Sequence, residues 1–268
     1  MQPASNLPAL SGVLNFRDMA GLRGRLEGQP AVIAPGRLLR SGHLAAATDD
    51  DVEALAGLGL HSVVDFRQDV DKRGDGGDDR LPDGVRLIEN PVPDPAGAGA
   101  EIRELLMSGD TDRINARYGN GQAAELAKGH AVAQATEPDK HAVYAAFLAH
   151  LLEADGPVLF HCSAGKDRAG WAATVAGMAL GVDDDQLIEH YLLSNVHRPA
   201  AQRLAYFASK GIDAEVMRPF LQVDDAYLRA ALAAVDEGWA SRDDYLADAL
   251  GVGSAEREAL RARYLEAA

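Results

Sequence analysis

No disulfide can form within this chain, because its 268 residues include a single cysteine, Cys162. That fits a reducing compartment and makes the use of this one thiol the first question. A surplus of positive charge is also missing. Lys and Arg number 26 against 41 Asp and Glu, a formal net charge of -15. Non-specific nucleic-acid binding needs a basic face, so no nucleic-acid partner is expected. Steering of an anionic substrate by the whole molecule is weak for the same reason, and any anion site has to be a local positive feature. No apolar run approaches the length of a bilayer crossing, so stable membrane insertion is not expected. The opening MQPASNLPAL has neither the basic nor the apolar region of a secretory signal, and a cytoplasmic location is expected. None of the eight histidines stands in a metal-binding pair such as HExxH. The acidic run from Asp75 to Asp79 lacks the terminal glutamate of a calcium loop. The expectation is a chain that needs no metal and no cofactor.

What is present suits one globular domain spanning 1–268. Hydrophobic residues make up 47% of the chain, enough to build a sizeable core at this length. The first 40 residues are rich in Gly and Pro and read as loops and short strands. Thr48 then looks like a helix N-cap, with Asp49, Asp50 and Asp51 in the first turn. The helix carries Val52, Leu55 and Leu58 and stops near Gly59. Residues 61–66 (HSVVDF) form a buried strand, 71–84 (DKRGDGGDDRLPDG) a polar turn-rich loop, and Val85 to Ile88 another strand. Three prolines, Pro91, Pro93 and Pro95, stiffen the next loop. Residues 101–135 are weakly helical and 139–154 convincingly so, with Val143, Phe147 and Leu151 on one stripe. Val158-Leu159-Phe160 is a strand, and a helix runs from Arg168 to Leu180. From Asp183 on the chain reads helical, in segments at about 183–194, 197–209, 213–220, 224–238, 241–250 and 254–266. Strands spaced by helices in the first two thirds indicate an α/β sheet, with the helical C-terminal third packed on it.

Cys162 falls between a buried strand and a helix, followed by Ser163-Ala164-Gly165-Lys166-Asp167-Arg168. A tight loop at a helix N-terminus points successive backbone N–H groups inward, and the helix dipole adds positive potential. Such a cradle binds a phosphate dianion and favours thiolate over thiol. Arg168 can close the loop and grip two phosphate oxygens with its planar fork, while Gly165 lets the backbone turn without a Cβ clash. The chemistry that follows is in-line attack of the thiolate on phosphorus, a phosphocysteine intermediate, and expulsion of an alkoxide or phenoxide. A carboxylic acid has to protonate the leaving group and then assist water. The competing reading, a buried structural cysteine, explains neither the charges of the loop nor its placement.

The segment HCSAGKDRAG resembles the signature loop of cysteine-dependent protein tyrosine phosphatases, in the bacterial subgroup whose loop shares the Ala-Gly-Lys-Asp-Arg core. The resemblance extends over nearly the whole chain. It includes Asn15-Phe16-Arg17-Asp18, Arg40-Ser41-Gly42, Val64-Asp65-Phe66-Arg67, Pro93-Asp94 and Tyr191-Leu192-Leu193-Ser194-Asn195. It implies a tyrosine-phosphatase-like fold, a mostly parallel central sheet flanked by helices. It also implies hydrolysis of phosphotyrosine, with dual specificity toward phosphoserine and phosphothreonine, and phosphoinositides in some members. The substrate partner would be a phosphorylated protein or a phosphoinositide, and the product inorganic phosphate.

Residue by residue, Cys162 is the implied nucleophile and residues Ser163 to Arg168 the phosphate cradle. Asp94 falls at the position of the general acid, and Asp167, inside the loop, is its rival. Lys166 suits a multiply phosphorylated head group, or is a solvated loop lysine. His161 is expected to orient the loop, and Arg17 and Asp18 to brace it from below. Some relatives cover the site with a helical lid. Here residues 200–222 would supply it, with Tyr206, Phe207, Met217 and Phe220 as apolar contacts, ordinary core packing being the alternative. One departure stands out. The family usually has Ser or Thr directly after the arginine, and this chain has Ala169. That hydroxyl would stabilise the thiolate leaving in the second step, so slow breakdown of the phosphoenzyme is expected. Taken further, the same feature suggests a pseudophosphatase that captures phosphorylated ligands with slow turnover. Arsenate reduction on a similar loop would need additional cysteines, which this chain lacks.

Overall fold

The computed structural model describes residues 7–94, 104–106 and 108–268. Its centre is a five-stranded sheet in the order β1-β4-β7-β5-β6, made of β1 (Arg17–Asp18), β4 (Leu38–Ser41), β7 (Val158–His161), β5 (Ser62–Asp65) and β6 (Arg86–Glu89). β1 runs antiparallel to β4 and the other neighbours are parallel. Register places Ser41, His161 and Asp65 side by side at the C-terminal edge, where ligand sites of parallel sheets form.

The strands read as unbroken apolar runs because both faces are covered. Leu38, Val64, Val158 and Phe160 point into the larger core, while Leu39, Val63 and Leu159 point into a second cluster with Val13, Leu44 and Leu55. That second face is covered by α1 (Asp49–Ala56), whose start is the capping box of Thr48 and Asp51. The larger core is filled by α5 (Pro138–Glu153) and by α6 (Arg168–Ala179). α6 is buried along nearly its whole length, and its small residues permit this. A Cβ on Gly177 would sit 2.4 Å from Leu187 Cδ2, and one on Gly170 2.9 Å from Tyr191 Cε2.

Three elements differ from the sequence reading. Residues 71–84 are not all loop, because α2 covers Asp69–Asp75. Its first turn is fixed by reciprocal bonds between Gln68 and Asp71, and Gly76, at φ 100°, ends it. The last helix, α12 (Ser254–Tyr264), stops short, and Leu265–Ala267 becomes strand β8. β8 joins β2 (Arg23–Leu26) and β3 (Gln29–Ile33) in a small antiparallel sheet. Residues 241–250 form a helical turn, Arg242–Asp244, followed by a π-helical segment, Tyr245–Ala249.

Further helices are α3 (Thr111–Tyr118), α4 (Gln122–Thr136), α7 (Asp184–Leu192), α8 (Ser194–His197), α9 (Ala201–Ser209), α10 (Ala214–Leu221) and α11 (Asp225–Gly238). α3, the start of α4, α9 and α10 enclose a third apolar cluster of their own, with Ile114, Tyr118, Val216, Met217 and Leu221 buried in it. Among the described residues no helix is long and apolar enough to cross a membrane.

Candidate active site

Cys162 follows β7 and is 2% exposed. The next five residues turn the chain into α6, and each carbonyl on the way is taken up from outside the loop. Ser163 O accepts from His43 N at 3.2 Å. Ala164 O and Gly165 O accept from Asn15 Nδ2 at 3.0 and 2.9 Å. Gly165 O and Lys166 O accept from Arg40 at 2.7 and 3.3 Å. The described peptides are all trans, and a trans peptide carries its N–H opposite its C=O. Fixing four successive carbonyls outward therefore turns the N–H groups of Ala164, Gly165, Lys166 and Asp167 to the other side. Among the described residues none accepts a bond from these four amides. An arrangement of this kind can hold an anion, and here it is shaped by the residues behind it. Gly165 is obligatory in it. Its φ is +67°, and a Cβ there would lie 2.2 Å from Ser41 O.

The backing residues are themselves braced. Arg17 donates to Asn15 O at 3.0 Å and to Asn15 Oδ1 at 2.5 Å, and its other nitrogen reaches His190 O and Ser194 Oγ. Arg17 thus reaches the loop indirectly, through Asn15. Asp18 does not touch the loop. Its carboxylate accepts from Ala20 N and Gly36 N, so it fixes the turns around β1 instead. Burial raises its pKa, partly offset by those amides. Arg40 is fully buried, and burial lowers its pKa to about 10, with Cys162 the leading group opposing the fall. Asn15 adopts a φ of 60°, a conformation asparagine tolerates better than most residues.

Arg168 opens α6. One guanidinium nitrogen donates to Asp71 Oδ2 at 2.6 Å and Phe66 O at 3.3 Å, and the other to Ser163 Oγ at 3.4 Å. Burial works against its charge, but Cys162 and Asp71 outweigh burial and raise its pKa. Asp71 was not among the residues expected here. Its only sequence signal is a carboxylate shortly after a parallel strand, at the end where functional loops gather.

A cavity of about 340 Å³ opens over the sulfur, and Cys162, Lys166, Arg168, Asp71, Asp94 and Asp167 all contribute to its wall. Both candidate acids are therefore at the site. They differ in setting. Asp167 pairs with Lys166 Nζ at 3.0 Å, whereas Asp94 is an exposed residue on the proline-stiffened segment. Lys166 is 8% exposed and so is no solvated loop lysine. Its ammonium also donates to Pro219 O at 3.3 Å and Gln222 O at 3.5 Å, at the end of α10.

Of the four expected lid contacts, Phe220 lines the cavity. Met217 and Phe207 pack in the third apolar cluster. Tyr206 is 58% exposed and stacks edge-on against Phe207. Ala169 is fully buried. Among the described residues no side chain donates a hydrogen bond to Cys162 Sγ. His161, also fully buried, has Nδ1 3.3 Å from Cys162 O.

A tyrosine phosphatase family model matches residues 8–266. Two curated relatives are similar across most of the chain. One, from Cupriavidus necator and named "Putative tyrosine-protein phosphatase", is 36% identical over 262 residues, covering 96% of this chain and 88% of the relative. The other, "Triple specificity protein phosphatase PtpB" of Mycobacterium tuberculosis, is 30% identical over 282 residues, covering 94% of this chain and 96% of the relative. A crystal structure of TpbA from P. aeruginosa aligns with a TM-score of 0.34 at 20% identity, over 76% of this chain and 89% of that one, a likeness too slight to argue from.

Proposed function

The chain belongs to the tyrosine phosphatase family, and from that premise we propose that it hydrolyses phosphotyrosine through a phosphocysteine on Cys162. The observation that carries this reading is the four outward-fixed carbonyls around a buried cysteine, closed by Arg168. The inward amides and the guanidinium suit the three non-bridging oxygens of a phosphoryl group. The sulfur attacks phosphorus in line, the S–P bond forms, and the ester P–O bond breaks. The leaving oxygen takes a proton from a carboxylic acid. Water then attacks phosphorus, giving up a proton to that same carboxylate, and the S–P bond breaks to release phosphate and thiolate. No step calls for a metal.

We assign the acid to Asp94. Asp167 is engaged by the Lys166 ammonium at 3.0 Å, whereas Asp94 stands on the wall of the same cavity, on the proline-stiffened segment. Asp71 acts as a positioning residue for Arg168. Residues 200–222 act as a lid over the cavity, since they share an apolar cluster separate from the main core and reach the site through Phe220. Wider specificity, toward phosphoserine, phosphothreonine and phosphoinositides, is a second reading. It is favoured by the buried Lys166 and by the name of the mycobacterial relative.

Phosphate release from an aryl phosphate by wild type and by Cys162→Ser tests the first reading. Loss of turnover in the serine variant is expected, and retained turnover would refute it. A phosphopeptide and phosphoinositide panel separates the substrate classes. Asp94→Ala is expected to slow alkyl phosphates far more than activated aryl phosphates, and equal loss on both would remove the assignment.

A further inference from the structure

His161 sits directly below the loop, and its ring is held by a side chain that sequence reading placed in a solvated turn. Nε2 lies 2.9 Å from Asp79 Oδ2. Both atoms are buried with no hydrogen bond of good geometry among the described residues, so each has only the other within reach. On its other side the ring presents Nδ1 to Cys162 O at 3.3 Å. Asp79 is clamped in turn, its other oxygen accepting from Leu44 N at 2.7 Å and pairing with Arg67 at 2.8 Å. Its side chain is fully buried, although the loop carrying it is exposed on both sides. A rigid path thus runs from the loop after α2, through one imidazole, to the carbonyl of Cys162.

We propose that Asp79 is a positioning residue for Cys162, acting through His161, and this rests on Cys162 being the nucleophile. Acceptor oxygens stand at both ring nitrogens, so both are best served when each carries a proton. Such a ring places a cation under the thiolate. Burial opposes charge on Asp79, but His161, Arg67 and the Leu44 amide outweigh it and hold the carboxyl at about 2.

The neighbouring charges that a pH profile also reads are Asp65, Arg67, Asp75 and His43 around the ring. Arg40, Arg168, Tyr144 and Arg198 surround the sulfur, with Lys166 and Asp167 in the loop itself. Of these, Arg67 loses one of its carboxylate partners and His43 a nearby negative charge when Asp79 is changed, and the others keep their own partners.

The test is Asp79→Asn, with exposed Asp78→Asn as the control for losing one charge from the same loop. The amide can still accept from Leu44 N, but its Nδ2 offers a proton to His161 Nε2 where the carboxylate accepted one. The ring must give up its proton or turn. Turnover of an aryl phosphate should fall roughly 10- to 100-fold with little change in KM, the scale of a misplaced reacting group. The acidic limb of Cys162 alkylation by iodoacetate should move to higher pH, and Asp78→Asn should leave both readouts alone. A limb that stays put, or moves to lower pH as loss of a plain buried anion would dictate, overturns the proposal. His161→Asn should reproduce the displaced limb, and adding Asp79→Asn to it should do nothing more. Should Asp79→Asn fail to fold, the His161→Asn profile decides alone, and an unmoved limb refutes the path. Failure of the nucleophile assignment is read separately, from turnover that survives in Cys162→Ser.

Discussion

Replacing Asp71 separates the charge that holds Arg168 from the geometry that holds it. One oxygen, Oδ2, accepts from both Arg168 at 2.6 Å and the Gln68 amide at 3.0 Å. Asparagine can place its own oxygen there, so Asp71→Asn keeps both acceptor roles and removes only the charge. Asp71→Ala removes both. A hydrogen bond to a charged group contributes ~1.5–3 kcal/mol and a neutral one ~0.5–1.5. The asparagine variant therefore loses roughly 1–1.5 kcal/mol of Arg168 positioning, about 5- to 13-fold in rate at ~1.36 kcal/mol per tenfold. The alanine variant loses the whole ~1.5–3 kcal/mol, about 13- to 160-fold. Alanine also leaves the Gln68 amide without its side-chain acceptor, a further stability cost of about 1 kcal/mol.

The assay is steady-state hydrolysis of an aryl phosphate, with the inhibition constant of inorganic phosphate measured beside it. Asp71 competes with a bound anion for the guanidinium. Phosphate should accordingly bind the asparagine variant as tightly as wild type or more tightly, while its turnover falls. Unchanged turnover in both variants, or asparagine slower than alanine, would refute the reasoning.

Three other outcomes are expected. Lys166→Met removes the ammonium bound by Pro219 O and Gln222 O, so amide hydrogen exchange in α10 should quicken with no ligand present; unchanged protection would show that Lys166 does not fasten this segment. Ala169→Thr offers a hydroxyl beside the sulfur, worth up to ~1.5–3 kcal/mol in the second step; turnover should rise and any initial burst shrink, and neither change would mean that another group already serves the leaving thiolate. Asp51 is held at about 2, because amides of Thr48, Ser11 and Gly12 and the Thr48 hydroxyl outweigh the opposing effect of burial. Its folded pKa lies below the unfolded value of ~3.9, so its stabilisation is present above about pH 4 and lost as pH falls through about 2. Asp51→Asn should be less stable at neutral pH, with the deficit closing across that window; a deficit independent of pH would exclude the linkage.

The loop was legible because its chemistry is contiguous: cysteine, glycine and arginine lie within seven residues, between an apolar strand and a helix. What holds that loop was not legible as a mechanism. Asn15 stands 149 and 150 residues from the carbonyls it binds, Arg40 125 from Gly165, and Asp71 97 from Arg168. The register of a folded sheet brings them together, and no local pattern records it. Gly-Asp-Gly-Gly-Asp-Asp has the composition of a solvated turn, yet Asp79 is drawn inward to the Arg67 guanidinium and the His161 imidazole. Leu265–Ala267 has too little pattern of its own to announce a strand, and takes that form because β3 offers an edge. Local signals did suffice where the physics is local, as with the Thr48 cap and the apolar stripe of α5.

An acidic protein that binds anions has to resolve a conflict, and the ion pairs of the site show how. Two cations of the loop are already matched before any ligand arrives, Lys166 by Asp167 at 3.0 Å and Arg168 by Asp71 at 2.6 Å. A phosphate therefore enters by exchanging partners rather than by falling into an open positive well. The net charge of -15 meanwhile acts against its approach. Salt screens exposed charges over a Debye length of ~10 Å at 0.1 M and ~3 Å at 1 M, but screens buried pairs much less. Raising ionic strength with a weakly coordinating salt should thus relieve repulsion without breaking the site. For a dianionic aryl phosphate, kcat/KM should stay level or rise between 0.02 and 0.3 M salt, on the order of a Debye length shrinking from ~20 to ~6 Å. A steep fall over that range would mean that long-range attraction, not exchange at the loop, delivers the substrate.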